Sequence, residues 1–191
     1  MTIAAVVLAA GASRRLGRPK QNIVLDGETL LQRTVRLALD AGLSPIFVVV
    51  RKATDCVEVA PSPNLIIVVS QEADEGIASS IRCGIKAAAG YNPAGAVMLA
   101  CDQPALRAVH LRALVEDQHR LTASAYGGSL GVPAYFPAGL FSSLLQLRGD
   151  TGARSLLKNA HAIAAEELSL DIDTEDDLRI ARALFETADG P

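Results

Sequence analysis

Ile3 to Ala9 is an uncharged, partly β-branched run that stops at Ala10-Gly11. So short a run, bounded by a turn signal, reads as a strand buried on both faces, and such strands occupy the interior of parallel sheets. Pro45 to Val50, Leu65 to Val69 and Gly95 to Ala100 repeat the pattern. Between them the apolar spacing is helical. From Thr29 onward Leu30, Leu31, Val35, Leu39 and Leu43 mark an amphipathic helix, with Thr29 as its N-cap and Gly42 near its end. Ile77 to Ala89, closed by Gly90, gives a second helix and Val109 to Leu121 a third. Strand and helix alternating over about 120 residues imply right-handed βαβ crossovers. The expected fold is α/β, a three-layer α/β/α, Rossmann-like, mostly parallel sheet. Its 191 residues, set against roughly 150 per domain, predict a single domain spanning residues 1–191.

The last third is less regular. Ala123 to Phe136 carries Gly127-Gly128, Gly131 and Pro133 between β-prone pieces and reads as a hairpin-like excursion. Leu140 to Leu147 and Ala153 to Leu157 read as helical, and Leu168 to Ile172 as a final strand. Thr174, with Asp177 three residues on, starts a last helix.

Composition narrows the function classes. Half of the residues are hydrophobic, which places the chain among compact globules. Alanine supplies 32 residues while Phe and Tyr together supply seven and Trp none, so the core is built from Ala, Val, Leu and Ile. Eighteen Lys and Arg against 21 Asp and Glu leave a net charge of −3. That balance argues against nucleic acid or an anionic membrane as a partner. No apolar stretch approaches the roughly 20 residues that span a bilayer. Arg14 and Arg15 follow the uncharged Met1 to Ser13 segment, the reverse of the order in an export signal. Cys56, Cys83 and Cys101 are odd in number and widely spaced, so a cytoplasmic location is expected. His110, His119 and His161 pair with no Ser or Cys motif and are read as surface residues.

The net charge conceals a local cluster. Arg14, Arg15, Arg18 and Lys20 lie within Gly11 to Lys20, and no acid precedes Asp26, so residues 1–25 carry +4. At the carboxyl end of a parallel strand, small residues let backbone N–H groups approach an anion while Arg and Lys add donors and charge. The combination suits a polyphosphate; the alternative is a solvated basic turn beside a packed strand. Two familiar phosphate loops fit poorly. A P-loop requires Gly-Lys-[Ser/Thr], whereas Lys20 follows Pro19, and the spacing of Gly11 and Gly17 is not that of a dinucleotide fingerprint.

Leu8 to Lys20 reads Leu-Ala-Ala-Gly-x-Ser-x-Arg-x-Gly-x-x-Lys, and four further blocks follow in order: Glu75 to Gly84, Cys101-Asp102-Gln103-Pro104, Gly149 to Arg154, and Asp171 to Leu178. Together they resemble the nucleotidyltransferases with a glycosyltransferase-A-like fold, and more closely the molybdenum cofactor cytidylyltransferase branch of the MobA-like NTP transferases. The resemblance covers nearly the whole chain. It implies Mg²⁺-dependent transfer of CMP from CTP to a phosphomonoester acceptor, molybdopterin or the molybdenum cofactor, with release of pyrophosphate. It further implies Arg14 and Lys20 as catalytic residues and Leu8, Ala9, Ala10, Gly11, Gly17, Gly76, Ser79 and Ser80 as nucleotide contacts. Asp102 and Asp173 are the implied metal ligands, and a molybdoenzyme or its chaperone is a further implied partner.

The residues themselves keep some alternatives open. Asp102 follows a central strand, where ligands of open α/β sheets bind, and one carboxylate commonly bridges Mg²⁺ to a phosphate; the other reading is a turn-forming Asp before Gln103-Pro104. Asp173 is either the second ligand or, with Asp171, Thr174 and Asp177, a cap of the last helix. Ser79 and Ser80 are base and ribose contacts or ordinary first-turn caps. Arg82 reads as a solvated helix residue and Asp150 as structural, with Arg154 open. Val132 stands where many relatives of this branch have His in a Gly-His-Pro triplet, which leaves the acceptor's identity open.

Ala9-Ala10-Gly11, instead of the Ala-Gly-Gly of guanylyl relatives, favours CTP. Competing readings are a guanylyltransferase using GTP, a sugar- or polyol-phosphate cytidylyltransferase of the same fold, and a non-catalytic nucleotide-binding accessory module for molybdoenzyme maturation. An acceptor phosphate is already an anion, so transfer requires no general base, and none is evident.

Overall fold

The computed structural model describes residues 2–55 and 62–186. The expected first strand, β1 (Ile3–Leu8), lies in the middle of a seven-stranded sheet. Every residue of it but Leu8 is buried, because neighbours cover both of its faces. The remaining elements through the first crossovers are β2 (Val24–Leu25) and β3 (Glu28–Thr29), a small antiparallel ribbon, then α1 (Leu30–Asp40), β4 (Ile46–Val50), β5 (Leu65–Val69), α2 (Ile77–Ala89), β6 (Gly95–Ala100) and α3 (Ala108–Leu114). β4 and β6 flank β1 in parallel, with Val6 level with Phe47 on one side and Met98 on the other. β5 extends the sheet in parallel beyond β4 but, as the edge strand, is not the buried strand expected: Ile67 and Val69 are exposed.

Alternation along β1 divides the core into two layers. Ala5 and Val7 face a cluster with Leu31, Val35 and Ala38 of α1 and Leu111 and Leu114 of α3. Ala4 and Val6 face the opposite cluster, with Ile81, Ile85 and Ala88 of α2. The three-layer, mostly parallel α/β architecture expected from the sequence is therefore the one observed. Thr29 closes a full capping box on α1: its hydroxyl accepts from Gln32 N–H at 3.1 Å and Gln32 Oε1 accepts from Thr29 N–H at 2.7 Å.

The last third completes the sheet with β7 (Thr122–Tyr126), β8 (Ser129–Pro137), α4 (Phe141–Leu145), β9 (His161–Ala164) and α5 (Glu175–Glu186), giving the order β5-β4-β1-β6-β8-β7-β9. β8 runs antiparallel to both β6 and β7, and the expected hairpin turns at Gly127 and Gly128, with φ of 54° and 71°. Two consecutive left-handed residues match the right-handed twist of the strands they join.

Several sequence expectations are corrected here. Leu168 to Ile172 is not a strand: Glu166–Ser169 is a 3-10 turn, and Ile172 N–H donates to Asp102 O at 2.9 Å. The strand that closes the sheet is β9, parallel to β7, whose four residues leave too little alternation to read. The helix expected to reach Leu121 stops at Leu114, where β-branched Val115 is followed by Asp117, whose Oδ1 accepts from His119 N–H at 3.0 Å in a local turn. Ala153 to Leu157 folds as 3-10 turns, Ala153–Ser155 and Leu157–Asn159, not as an α-helix.

His110 is also corrected. It is buried on α3, with Nε2 2.7 Å from Ser124 Oγ, whereas His119 and His161 are exposed as expected. Cys83 is a free thiol, Cys101 is buried at the end of β6, and Cys56 lies outside the described residues. Among the described residues no helix is long and apolar enough to cross a membrane.

Candidate functional site

The carboxyl ends of β1, β4 and β6 open into a cavity of about 580 Å³. Crevices at this edge of a parallel sheet are the usual ligand sites of open α/β folds, because loops diverge there to opposite faces. The basic loop after β1 forms one wall. Ala9 N–H donates to Val49 O at 2.8 Å, which holds the start of the loop to the sheet. Ser13 turns it: its carbonyl accepts from Gly17 N–H at 3.1 Å and its hydroxyl from Lys20 N–H at 3.1 Å.

The four loop cations divide into two pairs. Arg14 and Lys20 line the cavity. Arg15 and Arg18 instead tie the loop to the start of α5, donating to Asp173 at 2.5 Å and to Glu175 at 2.6 Å. Beneath those ties, Leu16, Ile23, Leu25 and Leu30 pack against Ile172, Leu178 and Ala181.

Lys20 Nζ donates to Asp102 and, at 3.0 Å, to Asp173. Burial alone would lower the pKa of this ammonium; the two carboxylates, Asp102 first, outweigh burial and hold it above the ordinary lysine value. Asp102 thus stands at the end of β6 sharing a cation with a residue 71 positions later. Asp171 lines the same cavity, and desolvation together with the nearby Asp102 charge pushes its carboxyl up to about 6.

Of the residues singled out in the sequence, Leu8, Ala9, Ala10, Gly11, Arg14, Lys20, Gly76, Ser80 and Asp102 line the cavity. Gly17, Ser79 and Asp173 do not. Gly17 serves the turn, with φ of 66°. Ser79 is buried and its hydroxyl donates to Gly76 O at 2.8 Å, a bond within the first turn of α2. Asp173 reaches the site only through Lys20. Thr174 Oγ1 accepts from Asp177 N–H at 3.2 Å and Asp177 Oδ2 accepts from Thr174 N–H at 2.8 Å and Asp173 N–H at 3.1 Å, so the cap of α5 is the expected Thr174 with Asp177, and the Asp173 carboxylate is not part of it.

Three lining groups escaped the sequence reading. Arg51, directly after β4, donates to Ala10 O at 3.0 Å and to Asp74 at 2.6 Å, and so braces both loops over the cavity. Its place at a parallel strand's carboxyl end is the signal that identified Asp102, unused at Arg51 for want of a motif. Tyr126 comes from the hairpin; its hydroxyl accepts from Gln103 Nε2 at 3.1 Å and donates to Val132 O at 2.8 Å. Asp171 was seen only as a helix-capping candidate.

Gly76 begins α2 with φ of 107°, and a Cβ there would lie 2.6 Å from the carbonyl carbon and oxygen of Gly149. Both the backbone angle and this approach require glycine. Arg82 points away, donating to Leu147 O at 2.9 Å and pairing with Glu72 and Glu75.

The chain is similar to known proteins over most of its length. A family model described as the MobA-like NTP transferase domain matches residues 5–165. The purine catabolism protein PucB of Bacillus subtilis is 32% identical over 93% of this chain and 94% of its own. A probable molybdenum cofactor guanylyltransferase of Opitutus terrae is 39% identical over 110 residues, 56% of this chain and 50% of that protein. Among solved structures, Rv0371c of Mycobacterium tuberculosis superposes with a TM-score of 0.82 at 28% identity, covering 96% of this chain and 98% of the other. The same protein has been solved in complex with manganese.

Proposed function

Because the chain belongs to the MobA-like NTP transferase family and is a nucleotidyltransferase, we propose that it transfers CMP from CTP to a phosphomonoester acceptor of the molybdopterin or molybdenum cofactor type. The observation that carries this reading is the Lys20–Asp102 pair on the floor of the cavity, beside the small-residue wall of Ala9, Ala10 and Gly11. An ammonium and a carboxylate at one strand edge supply both charges that triphosphate chemistry needs.

The donor set fits a divalent cation. Asp102 and Asp173 already converge on a single cationic centre, the Lys20 ammonium, so their oxygens are close enough to share one charge. Such an ion, Mg²⁺ in this reading, takes one or two carboxylates and completes its shell with water and phosphate oxygens. Asp102, with Asp173, would hold it, and its chemistry is neutralisation of charge on the phosphates. The manganese complex of Rv0371c supports divalent metal use in the family.

In the transfer, an oxygen of the acceptor phosphate forms a bond to the α-phosphorus, the bond from that phosphorus to the bridging oxygen breaks, and pyrophosphate leaves with the electron pair. Arg14 and Lys20 hold the triphosphate and stabilise charge developing on the leaving group. The backbone at Leu8 to Gly11 and the Ser80 hydroxyl contact the nucleoside. Gly17 and Ser79 support these contacts from behind.

Ala9-Ala10-Gly11 favours CTP over GTP in this reading. The likeness to a relative named as a guanylyltransferase supports a second, GTP-using reading of the same reaction. Pyrophosphate release on mixing each of the four NTPs with Mg²⁺ and molybdopterin tests both: release with CTP is expected, release with GTP alone installs the second reading, and nucleotide binding without release indicates an accessory module.

A further inference from the structure

On its β8 side the ladder of β6 stops at Met98, level with Ala134, four residues short of Asp102. β8 turns away there in a bulge: Ala123 of β7 is level with Ala134, yet the next residue, Ser124, is level with Gly131. Val132 and Pro133 are the surplus residues, and bulges of this kind re-aim a strand beside a site. Side chains take up the carbonyls that the bulge frees. Ser124 Oγ donates to Pro133 O at 2.7 Å, and the Tyr126 hydroxyl donates to Val132 O at 2.8 Å. The strand end that carries Asp102 thus has no ladder partner in β8, and a side chain supplies the tie.

That side chain is Gln103, which is 5% exposed. Its Nε2 donates to Val132 O at 3.1 Å, to Tyr126 Oη at 3.1 Å and to Leu168 O at 3.3 Å. From Leu168 the chain runs through Ile172, whose N–H donates to Asp102 O at 2.9 Å, to Asp173. One buried amide therefore joins the strand end bearing the first acid to the bulge and to the segment bearing the second. Its other end shows that the donors are what the site uses. Gln103 Oε1 is buried with no hydrogen-bond partner among the described residues. A bare buried acceptor is destabilising, and folding alone gives no reason to keep one.

We propose that Gln103 is a positioning residue for the transfer: through the strand end at Asp102 and the segment 168–173, its amide sets the separation of the two carboxylates that share Lys20. The proposal rests on the reading above in which these acids hold the divalent cation. Mg²⁺ takes its oxygen ligands at about 2.0–2.1 Å in near-octahedral geometry, so two acids moved apart by about 1 Å no longer fit one ion. Misplacement of that size costs up to about 100-fold in turnover.

Gln103→Met keeps the length of the side chain and removes its donors; Gln103→Asn keeps the amide but withdraws it by one methylene. Both are checked for fold by circular dichroism and compared with wild type by crystallography, by Mn²⁺ titration with a non-reacting CTP or GTP analogue followed by electron paramagnetic resonance, and by steady-state pyrophosphate release. In Gln103→Met the Asp102 and Asp173 carboxylates should separate by about 1 Å, with Mn²⁺ affinity and kcat each falling about tenfold or more. KM for the nucleotide should stay within about threefold, because the proposed nucleotide contacts lie on the basic loop and the start of α2. Gln103→Asn should show the same pattern in smaller measure. Unmoved carboxylates, unchanged Mn²⁺ affinity or unchanged kcat in a folded Gln103→Met overturns the proposal, and so does loss of the fold in both variants, which would confine Gln103 to folding. A wild type that binds no Mn²⁺ with either analogue removes the metal reading instead, and the carboxylate separation in the crystals then decides on Gln103 by itself.

Discussion

Lys20 Nζ donates to both Asp102 and Asp173, so one ammonium neutralises two carboxylates that reach the site from the end of β6 and the start of α5. The pair of acids is held together by this ammonium, which stands where the divalent cation proposed above would be held. Lys20→Met is therefore expected to tighten Mn²⁺ binding to the unliganded protein, read by electron paramagnetic resonance, while slowing pyrophosphate release about 100-fold or more. Weaker Mn²⁺ binding in the variant would show that the ammonium organises the acids instead of competing for them.

Asp102→Asn keeps the shape of the side chain and removes its charge. Metal-dependent pyrophosphate release is expected to fall about 100-fold or more, with the fold retained by circular dichroism. Turnover within twofold of wild type would exclude Asp102 as a ligand.

Arg51 braces the loop at Ala10 and the turn at Ala73–Glu75 through three hydrogen bonds, two of them to carbonyl oxygens. Arg51→Met preserves the length of the side chain and abolishes all three. Steady-state kinetics should show KM for the nucleotide rising about tenfold and kcat changing less, with a stability loss of about 1–2 kcal/mol by urea denaturation. An unchanged KM would confine Arg51 to a role in folding.

Much of the fold's first two thirds was legible because its strands are short apolar runs and α1 and α2 have periodic faces, whereas the β2–β3 ribbon and the early end of α3 at Leu114 were not. Thr29 is an example: read as the N-cap of α1, it is found there, with Gln32 completing a capping box that the structure adds. The remainder was not legible locally. β9 is a strand only because β7 supplies its ladder, and the segment at Leu168 to Ile172 has strand composition but spends its Ile172 N–H on Asp102 O. At the candidate site, most motif residues of the basic loop and Asp102 line the cavity, whereas Tyr126 and Asp171 join it through long-range geometry and Arg51 follows a strand end that carries no motif. His110 was misread for the same reason: its partner, Ser124, lies on another element.

Gly76→Ala should be costly. The left-handed φ and the approach to the Gly149 carbonyl together are expected to lower stability by about 1–3 kcal/mol, measured by thermal denaturation. A variant as stable as wild type would mean that the turn before α2 relaxes freely.

His110 gives a pH signature. Burial lowers its pKa below the ordinary 6.5, against a weaker opposing pull from Glu167. The unfolded chain therefore takes up a proton before the folded one does as the pH falls through that value, and stability is lost on acidification. Urea denaturation at pH 7.5 and pH 5.5 should show a larger acid-side loss for wild type than for His110→Gln. Equal losses would place the titration elsewhere.

The cluster that joins Leu16, Ile23, Leu25 and Leu30 to Ile172, Leu178 and Ala181 has a consequence for how the protein is made. On the ribosome, β1 and its loop are translated well before the surface that clamps them. A nascent chain that has not yet extruded residues 172–181 can assemble the parallel core but leaves the loop unfastened and Lys20 with one acid instead of two. Residues 172–181 are therefore a fastening for the basic loop and not a mere terminal appendage: without them Leu16, Ile23 and Leu25 lose the apolar surface they pack on.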